Sequence, residues 1–250
     1  MPWLLDLDGV IWLGDEPIPG AAEAVTRLRD AGERVVFVTN NSNAPVATVE
    51  AKLEAHGIEA TGDVVTSATA AAGLVHAGER VLICGGDGVR EALRSVGAVG
   101  VEVGDLADDK VDAVLVGFHE EFDYDRMRTA ARAVRAGARL IATNDDATYP
   151  TRDGPIPGAG SILAGIEKAS GHRAVVAGKP YEPMADYLRA RLGPDGLVVG
   201  DRPDTDGRLA AVLGWRFALV LTGVTTAEDL PVTPAPDVIA RDLRAVVESQ

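Results

Sequence analysis

The stretch Leu4-Leu5-Asp6-Leu7-Asp8-Gly9-Val10 decides the fold of this chain. It is an apolar run that ends in two carboxylates, Asp6 and Asp8, close to the first residue. Burying a carboxylate is costly unless a partner or a metal compensates its charge, so this pair implies a function. Residues i and i+2 of a strand share a face, but Gly9 lets the chain turn directly after Asp8. We therefore expect a buried first strand whose two acids have different tasks.

The composition is that of an ordinary globular protein, with 46% hydrophobic and 25% charged residues among 250. A net charge of -14 argues against a nucleic-acid or anionic-membrane partner, since both reward clustered Lys and Arg. No apolar run approaches the roughly 20 residues of a membrane span. The single cysteine, Cys84, excludes an intrachain disulfide, and the first residues lack the basic and apolar regions of a signal peptide. These features predict a cytoplasmic protein.

Short β-branched runs alternate with Ala-, Arg- and Glu-rich stretches of helical length, which is typical of a parallel sheet with flanking helices. The fold class expected is α/β, with a Rossmann-like doubly wound parallel-sheet core. The predicted strands are Trp3–Leu7, Arg34–Thr39, Arg80–Cys84, Ala113–Gly117, Arg139–Thr143, Ala174–Ala177, Leu197–Gly200 and Arg216–Leu221. The predicted helices are about Ala21–Ala31, Pro45–His56, Ala68–Ala77, Gly88–Val96, Tyr124–Ala136, Ser161–Ser170, Glu182–Arg191 and Asp204–Leu213.

Polar side chains follow four of these strands. Asp6 and Asp8 end the first, Thr39–Ser42 ends the second, Lys179 follows the AVVA strand after one glycine, and Asp201 directly follows LVVG. In a doubly wound sheet, ligands bind outside the carboxyl ends of the strands. We therefore expect these groups to converge on one crevice.

The middle of the chain ends its strands in different chemistry, which predicts a discontinuous core domain over residues 1–72 and 176–250. Residues 73–175 are then an inserted smaller α/β domain.

The paired acids suit phosphoryl transfer through a covalent intermediate. One ionised carboxylate attacks, and a second carboxyl protonates the leaving group and later deprotonates water. Mg²⁺ would neutralise the crowded acids and the phosphate oxygens, since it prefers oxygen ligands. The segment GDRPDTDG adds Asp201, Asp204 and Asp206 for such an ion.

Donors for a phosphoryl group come from the other strand ends. The Thr39 hydroxyl and the N–H groups of Asn40 and Asn41, just before a helix, suit non-bridging oxygens. Lys179 can bridge the nucleophile and the phosphate as a positive charge.

The segments DLDGV, TNNS, GKP and GDRPDTD, in this order and spacing, resemble the four motifs of the haloacid dehalogenase superfamily. The long insert, the GVIWLGDEPIPGA continuation and the ATNDDATYP…PGAGS stretch narrow the resemblance to the NagD-like, p-nitrophenyl phosphatase-like subclass IIA. The resemblance implies Asp6 as nucleophile and metal ligand, and Asp8 as general acid/base and Mg²⁺ ligand through its backbone carbonyl. It also implies Asp201 as Mg²⁺ ligand, Asp206 as support of the metal shell, and phosphate or substrate contacts from Thr39, Asn40, Asn41 and Lys179.

The resemblance makes the insert an α/β cap domain with a substrate-specificity loop at Thr143–Tyr149. Asn144, Asp146 and Tyr149 are its candidate contacts, with Tyr149 at the leaving group. The resemblance further implies a homodimer through the cap.

Three local alternatives stay open. Asp204 can be a helix N-cap or first-turn acid instead of a ligand, and Asn41 and Ser42 can cap the helix near Pro45. Asp145 and Asp146 can contact the substrate or cap their own loop. Asp108-Asp109-Lys110 is expected to be a solvated turn.

The function expected is a Mg²⁺-dependent phosphatase acting on a small sugar, polyol, glycolate, pyridoxal or nucleotide phosphate through a phospho-aspartate. The alternatives are a phosphomutase of the same superfamily and, outside the enzymes, a receiver-like phospho-acceptor.

Overall fold

The computed structural model describes residues 1–106, 110–149 and 154–250, which form two compact units. The first unit comprises Met1–Thr39, Val46–Val65 and Lys179–Gln250, and the second comprises Asn40–Pro45 and Thr66–Gly178. The second unit thus begins before the predicted boundary at residue 73 and ends after the one at 175. It also includes the segment that carries Asn40 and Asn41.

The strands of the described residues are β1 (Pro2–Asp6), β2 (Trp12–Leu13), β3 (Glu16–Pro17), β4 (Arg34–Thr39), β5 (Val64–Thr66), β6 (Arg80–Cys84), β7 (Val99–Val101), β8 (Ala113–Val116), β9 (Arg139–Ala142), β10 (Thr148–Tyr149), β11 (Ile156–Pro157), β12 (Val175–Val176), β13 (Leu197–Gly200), β14 (Arg216–Val220) and β15 (Val238–Ala240). The helices are α1 (Ala21–Asp30), α2 (Val46–Ala55), α3 (Ser67–Ala72), α4 (Asp87–Ser95), α5 (Tyr124–Arg135), α6 (Ala159–Ser170), α7 (Glu182–Leu192), α8 (Arg208–Leu213) and α9 (Leu243–Glu248). None of these helices has the length and apolar composition needed to cross a bilayer.

The first unit is built on a six-stranded sheet of order β15-β14-β13-β1-β4-β5. β1 lies in its middle and pairs in parallel with β4 and β13, so that Leu5 faces Phe37 on one side and Val199 on the other. Leu4, Leu5 and Phe37 are fully buried, as expected for parallel strands covered on both faces. This register brings the carboxyl ends of β1, β4 and β13 to one edge, which confirms the predicted fold class.

Helix α1 shows how the sequence covers this sheet. Its buried residues Ala21, Ala24, Val25 and Leu28 recur at helical spacing on one face, and the remaining positions are mostly charged or polar. Gly32, in the left-handed region with φ 77°, turns the chain towards β4.

The second unit has its own five-stranded sheet, of order β12-β9-β8-β6-β7, and all its pairings are parallel. Helices α5 and α6 pack on it through Ala130, Ala133, Val134, Ile162 and Ile166, all of which are buried. Strands β10 and β11 form a separate antiparallel pair that carries Tyr149.

Several elements differ from the sequence expectations. Strands β2, β3, β5, β7, β10, β11 and β15 and helix α9 were not predicted, because runs of two to six residues are too short to show a period. Helix α3 ends at Ala72 rather than Ala77, where Gly73 follows. Helix α8 begins at Arg208 rather than Asp204, since a π-helical turn occupies Pro203–Gly207. Asp108, Asp109 and Pro150 of the quoted segments lie outside the described residues.

Candidate active site

Asp6 lies at the carboxyl end of β1 and is almost fully buried. Its Oδ1 atom accepts a hydrogen bond from the Leu7 N–H at 2.8 Å and lies 2.8 Å from Lys179 Nζ. Burial is the main cause that raises the pKa of Asp6, the charge of Lys179 opposes it and that of Asp201 supports it, and the net value is about 6. The carboxylate is thus held in a fixed orientation beside a cation, as a nucleophile requires.

Lys179 is a buried cation beside Asp6 in the first unit. Its Nζ atom donates to Asp206 Oδ1 at 2.7 Å in addition to its ion pair with Asp6. Burial lowers the pKa of Lys179, but the charges of Asp206 and Asp6 outweigh burial, so the net shift is upward. Lys179 therefore carries its positive charge at neutral pH.

Asp206 is completely buried inside the π-helical turn. Its Oδ1 atom accepts from Lys179, and its Oδ2 atom accepts from the Arg202 N–H at 3.2 Å. Burial, with a smaller contribution from the charge of Asp6, raises the pKa of Asp206 to about 7, although Lys179 opposes the rise. Both of its oxygens are engaged, which suits a supporting role.

Asp201 directly follows β13 and is held by backbone from two other loops. Its Oδ2 atom accepts from the Val224 N–H at 2.5 Å. A Cβ atom on Gly9 would lie 2.5 Å from Asp201 Cγ, and one on Gly223 would overlap the same carboxylate. Burial, together with the charge of Asp206, raises the pKa of Asp201 to about 6 against the opposing hydrogen bond from the Val224 N–H. Glycines at 9 and 223 are therefore required for this carboxylate to occupy its place.

Asp6, Asp201 and Asp206 form a candidate metal centre. One carboxylate oxygen from each lies within 4.8 Å of the others, and all three side chains are buried. Among the described residues, the side-chain hydrogen bonds and ion pairs of Asp6 and Asp201 use Asp6 Oδ1 and Asp201 Oδ2. One oxygen of each thus stays available for a ligand. Carboxylate oxygens of Asp6 and Asp201, with the Asp206 carboxylate beside them, are hard donors that fit a divalent cation of the Mg²⁺ or Ca²⁺ kind.

Asp204 does not join this group. It is exposed and pairs with Arg202 through Arg202 Nη2 and Asp204 Oδ2 at 3.0 Å. It lies in the first turn after Arg202, as one of its two sequence alternatives expected, and makes no side-chain capping bond.

Asp8 lies two residues after Asp6, beyond the end of β1. Its side chain is accessible to solvent, yet the protein packed around it raises its pKa by desolvation. The Trp12 Nε1–H donates to Asp8 Oδ1 at 3.0 Å and opposes that rise. Gly9, at φ 78°, turns the chain immediately afterwards, so the two carboxylates differ in environment as the sequence predicted.

Thr39 ends β4 in the first unit and is buried. Asn40 and Asn41 belong to the second unit, where both contact the predicted specificity loop. Asn40 Nδ2 donates to Asp146 Oδ2 at 3.1 Å, and Asn41 Nδ2 donates to the Tyr149 hydroxyl at 3.3 Å. Asn144 Nδ2 donates to the Asn40 carbonyl at 2.7 Å. All three loop candidates therefore lie beside the TNNS segment.

The alternative in which Asn41 and Ser42 cap the helix near Pro45 does not hold. Helix α2 begins at Val46, whereas Asn41 Oδ1 accepts from the Asn43 N–H at 2.9 Å. Ser42 Oγ is buried and lies 2.9 Å from the Thr143 hydroxyl, which donates to it.

Three site residues were not predicted from the sequence: Trp12, Gly223 and Phe118. The Phe118 ring stacks on Tyr149 with centroids 4.7 Å apart and an interplanar angle of 11°. Each of them follows a strand end or a motif already noted, but none has a charge that would have drawn attention to it.

Comparison with known proteins gives the family. A family model described as haloacid dehalogenase-like hydrolase matches residues 3–99, and one described as HAD-hydrolase-like matches residues 176–246. A D-glycerol 3-phosphate phosphatase of Mycobacterium tuberculosis is 41% identical, over 97% of this chain and 70% of its own length. The chain belongs to the haloacid dehalogenase-like hydrolases.

Other members of the haloacid dehalogenase-like hydrolases agree with this assignment. Human chronophin is 37% identical over 90% of this chain and 82% of its own length. The p-nitrophenyl phosphatase of Archaeoglobus fulgidus has a TM-score of 0.92 and 32% identity, covering 100% of this chain and 98% of its own. A glycerol phosphate phosphatase of Mycobacterium tuberculosis in complex with magnesium has a TM-score of 0.89 and 38% identity, covering 98% and 75%.

These likenesses confirm the predicted subclass IIA, NagD-like resemblance and make the chain an enzyme of the phosphatase type. The receiver-like alternative is wrong, because the whole chain matches hydrolases rather than a phospho-acceptor.

Proposed function

We propose that this enzyme is a Mg²⁺-dependent phosphatase that hydrolyses a small phosphomonoester through a phosphorylated Asp6. One observation carries the proposal: the Asp6 carboxylate is buried at a strand end against Lys179, within 4.8 Å of acidic oxygens from Asp201 and Asp206. A structural acid pair needs no such excess of negative charge, whereas phosphoryl transfer with a bound cation does.

The first step forms the covalent intermediate. A carboxylate oxygen of Asp6 makes a bond to phosphorus while the ester P–O bond breaks, leaving its electron pair on the ester oxygen. Asp8, protonated for this step, gives that oxygen its proton, so an alcohol leaves and an acyl phosphate remains.

The second step restores the enzyme. Asp8, now ionised, takes a proton from water as the water oxygen attacks phosphorus. The P–O bond to Asp6 breaks, and inorganic phosphate leaves. One residue thus serves as acid and then as base.

The residues that would hold the metal are Asp6, Asp201 and the Asp8 carbonyl, with Asp206 supporting them. When bound, the ion supplies positive charge to the carboxylates and the phosphoryl oxygens. Lys179 orients Asp6 and balances the remaining charge through the two contacts described above.

Thr39, Asn40, Asn41 and Lys179 are proposed to bind the phosphoryl group, and Asn144, Asp146 and Tyr149 the leaving group. Phe118 supports the Tyr149 ring by stacking. These side chains offer a hydroxyl, an amide, a carboxylate and two aromatic rings, which suit a small polar alcohol such as a sugar or polyol. Glycerol 3-phosphate is the first substrate to test, because the relative named above is a D-glycerol 3-phosphate phosphatase.

Asp6→Asn tests the proposal, because the amide keeps the shape but cannot act as the nucleophile. We expect release of inorganic phosphate from a panel of phosphomonoesters with Mg²⁺ to fall by at least about 10³-fold. The exposed Asp195→Asn is the matched control and keeps wild-type rates. Near-wild-type turnover by Asp6→Asn would disprove the covalent mechanism, and a labelled phosphoryl group found on a second hydroxyl would identify a phosphomutase instead.

A further inference from the structure

We propose that Trp12 is a positioning residue that fixes the Asp8 carboxyl and assigns the leaving-group proton to its Oδ2 atom. The inference rests on the proposed function, in which Asp8 is the general acid. It begins from the Trp12 Nε1–H, which donates to Asp8 Oδ1 at 3.0 Å. Among the described residues, this is the one hydrogen bond to the Asp8 side chain.

Two backbone hydrogen bonds also link the segments that carry Asp8 and Trp12. The Trp12 N–H donates to the Leu7 carbonyl at 3.2 Å, and the Gly9 N–H donates to the Trp12 carbonyl at 2.7 Å. The chain between Leu7 and Trp12 is thus a closed loop with Asp8 inside it. The indole reaches Asp8 from a fixed base rather than from a mobile segment.

The indole itself is also held in place. Trp12 is 5% exposed and opens the short hairpin of β2 and β3. Lys52 Nζ lies 4.4 Å from the ring centroid and donates to the Gly14 carbonyl at 2.7 Å, so a cation covers the ring and closes the hairpin turn. The His56 ring lies 5.9 Å from the Trp12 ring, centroid to centroid.

An indole N–H can only donate a hydrogen bond, and the carbonyl oxygen of a protonated carboxyl accepts one more strongly than its hydroxyl oxygen does. When Asp8 is protonated, the contact of Trp12 with Oδ1 therefore favours the proton on Oδ2. This makes two otherwise equivalent positions of the proton unequal. It also restricts rotation of an exposed carboxyl, whose freedom would lower the fraction of molecules ready to react.

The consequence concerns one bond of the first step. As the Asp6–phosphorus bond forms and the ester bond breaks, the proton on Asp8 Oδ2 moves to the ester oxygen. An alkyl alcohol needs this proton, because an alkoxide is a poor leaving group. A p-nitrophenolate is stable as an anion and leaves without it.

Trp12→Phe tests the inference, since it keeps an aromatic ring and removes the N–H. The readout is kcat/KM with glycerol 3-phosphate and with p-nitrophenyl phosphate, because kcat/KM covers only the steps up to departure of the alcohol. Trp215→Phe is the matched control. It removes another buried indole N–H, which donates to the Pro194 carbonyl at 2.9 Å.

We expect Trp12→Phe to lower kcat/KM about 10- to 100-fold for glycerol 3-phosphate and less than about twofold for p-nitrophenyl phosphate, part of the ~10²–10⁴ of general acid catalysis. Trp215→Phe should leave the ratio of the two substrates unchanged. Equal losses on both substrates, or no loss on either, would overturn the inference. Failure of the proposed function is a separate result, because there Asp6→Asn would keep its activity whatever Trp12→Phe does.

Discussion

At the scale of single residues, the position of Asp201 depends on two neighbouring residues that have no side chain. Gly9 comes from the turn after β1 and Gly223 from the loop after β14, and a side chain on either would overlap the Asp201 carboxylate. The loop of Gly223 also contributes the Val224 N–H that binds this carboxylate and the Thr222 hydroxyl that donates to the Gly9 carbonyl. Two distant loops thus define the position of one acid.

Gly223→Ala is therefore expected to disable the proposed metal centre. The added Cβ has no space beside the Asp201 carboxylate and would displace it. The backbone at residue 223 is not in the left-handed region, so the expected effect comes from this overlap and not from backbone strain. We expect Mg²⁺ affinity, measured by calorimetry, to fall at least about tenfold, and stability to fall by about 1–3 kcal/mol from overpacking. Gly104→Ala is the control, since a Cβ there meets nothing within 4 Å. Unchanged Mg²⁺ affinity in Gly223→Ala would contradict this view of Asp201.

The acids of the candidate site were predictable from the sequence, whereas the small and aromatic residues around them were not. Asp6 ends β1 and Asp201 directly follows β13, and parallel strands of one sheet present their carboxyl ends at one edge. The strand before Lys179, β12, belongs to the sheet of the second unit, so this rule did not account for the place of Lys179. Trp12 and Gly223 act through one N–H and one missing side chain. Such roles depend on three-dimensional proximity, which a charge pattern does not encode.

At the scale of elements, the long strands were predicted to within one or two residues, and the short terminal elements were not. β15 and α9 have three and six residues, fewer than a period needs to be recognised. A local signal for α9 existed nonetheless. Asp242 precedes Leu243 and Val246, both buried, and its carboxylate accepts from the Ala245 N–H at 2.8 Å.

Asp242→Ala should consequently loosen the end of the first unit. It removes the side-chain N-cap of α9, which costs about 0.5–2 kcal/mol of unfolding free energy in comparable helices. Urea denaturation would measure the loss. Arg241→Ala removes the Arg241–Asp242 ion pair alone and should change stability by less than about 0.5 kcal/mol, because that pair is at the surface. Equal losses in both variants would assign the effect to the ion pair.

At the scale of the whole molecule, a net charge of -14 is combined with acids concentrated in one buried group. Burial raises the pKa values of Asp6 and Asp201 to about 6 and that of Asp206 to about 7, from an ordinary 3.8. The folded chain thus holds these protons more tightly than the unfolded chain does.

The expected homodimer through the cap stays a prediction, and sedimentation would test it.

Without metal, these groups should make the protein less stable as the pH rises from about 4 to 7. Their contribution is fully present below the unfolded pKa and is lost through the folded values, because the folded state must release protons that it binds more strongly. Mg²⁺ should reverse the loss, since it binds only the folded state.

Thermal unfolding in EDTA and in Mg²⁺ across this pH range would measure both effects. Asp201→Asn should raise the metal-free stability at pH 8 by on the order of 1 kcal/mol, or a few degrees in Tm, and should abolish most of the gain from Mg²⁺. Asp195→Asn serves as the exposed control. The pKa assignment would be refuted if the metal-free wild type were more stable at pH 8 than at pH 5 and Asp201→Asn showed the same difference.

Trp12, which donates a hydrogen bond to Asp8, is also an intrinsic fluorescent probe of unfolding. All three tryptophans, Trp3, Trp12 and Trp215, are buried in the first unit, and the second unit has none. Intrinsic fluorescence excited at the indole band therefore reports on the first unit alone, while circular dichroism reports on both. Comparing the two signals during denaturation would show, with no label attached, whether the two units unfold as one cooperative system.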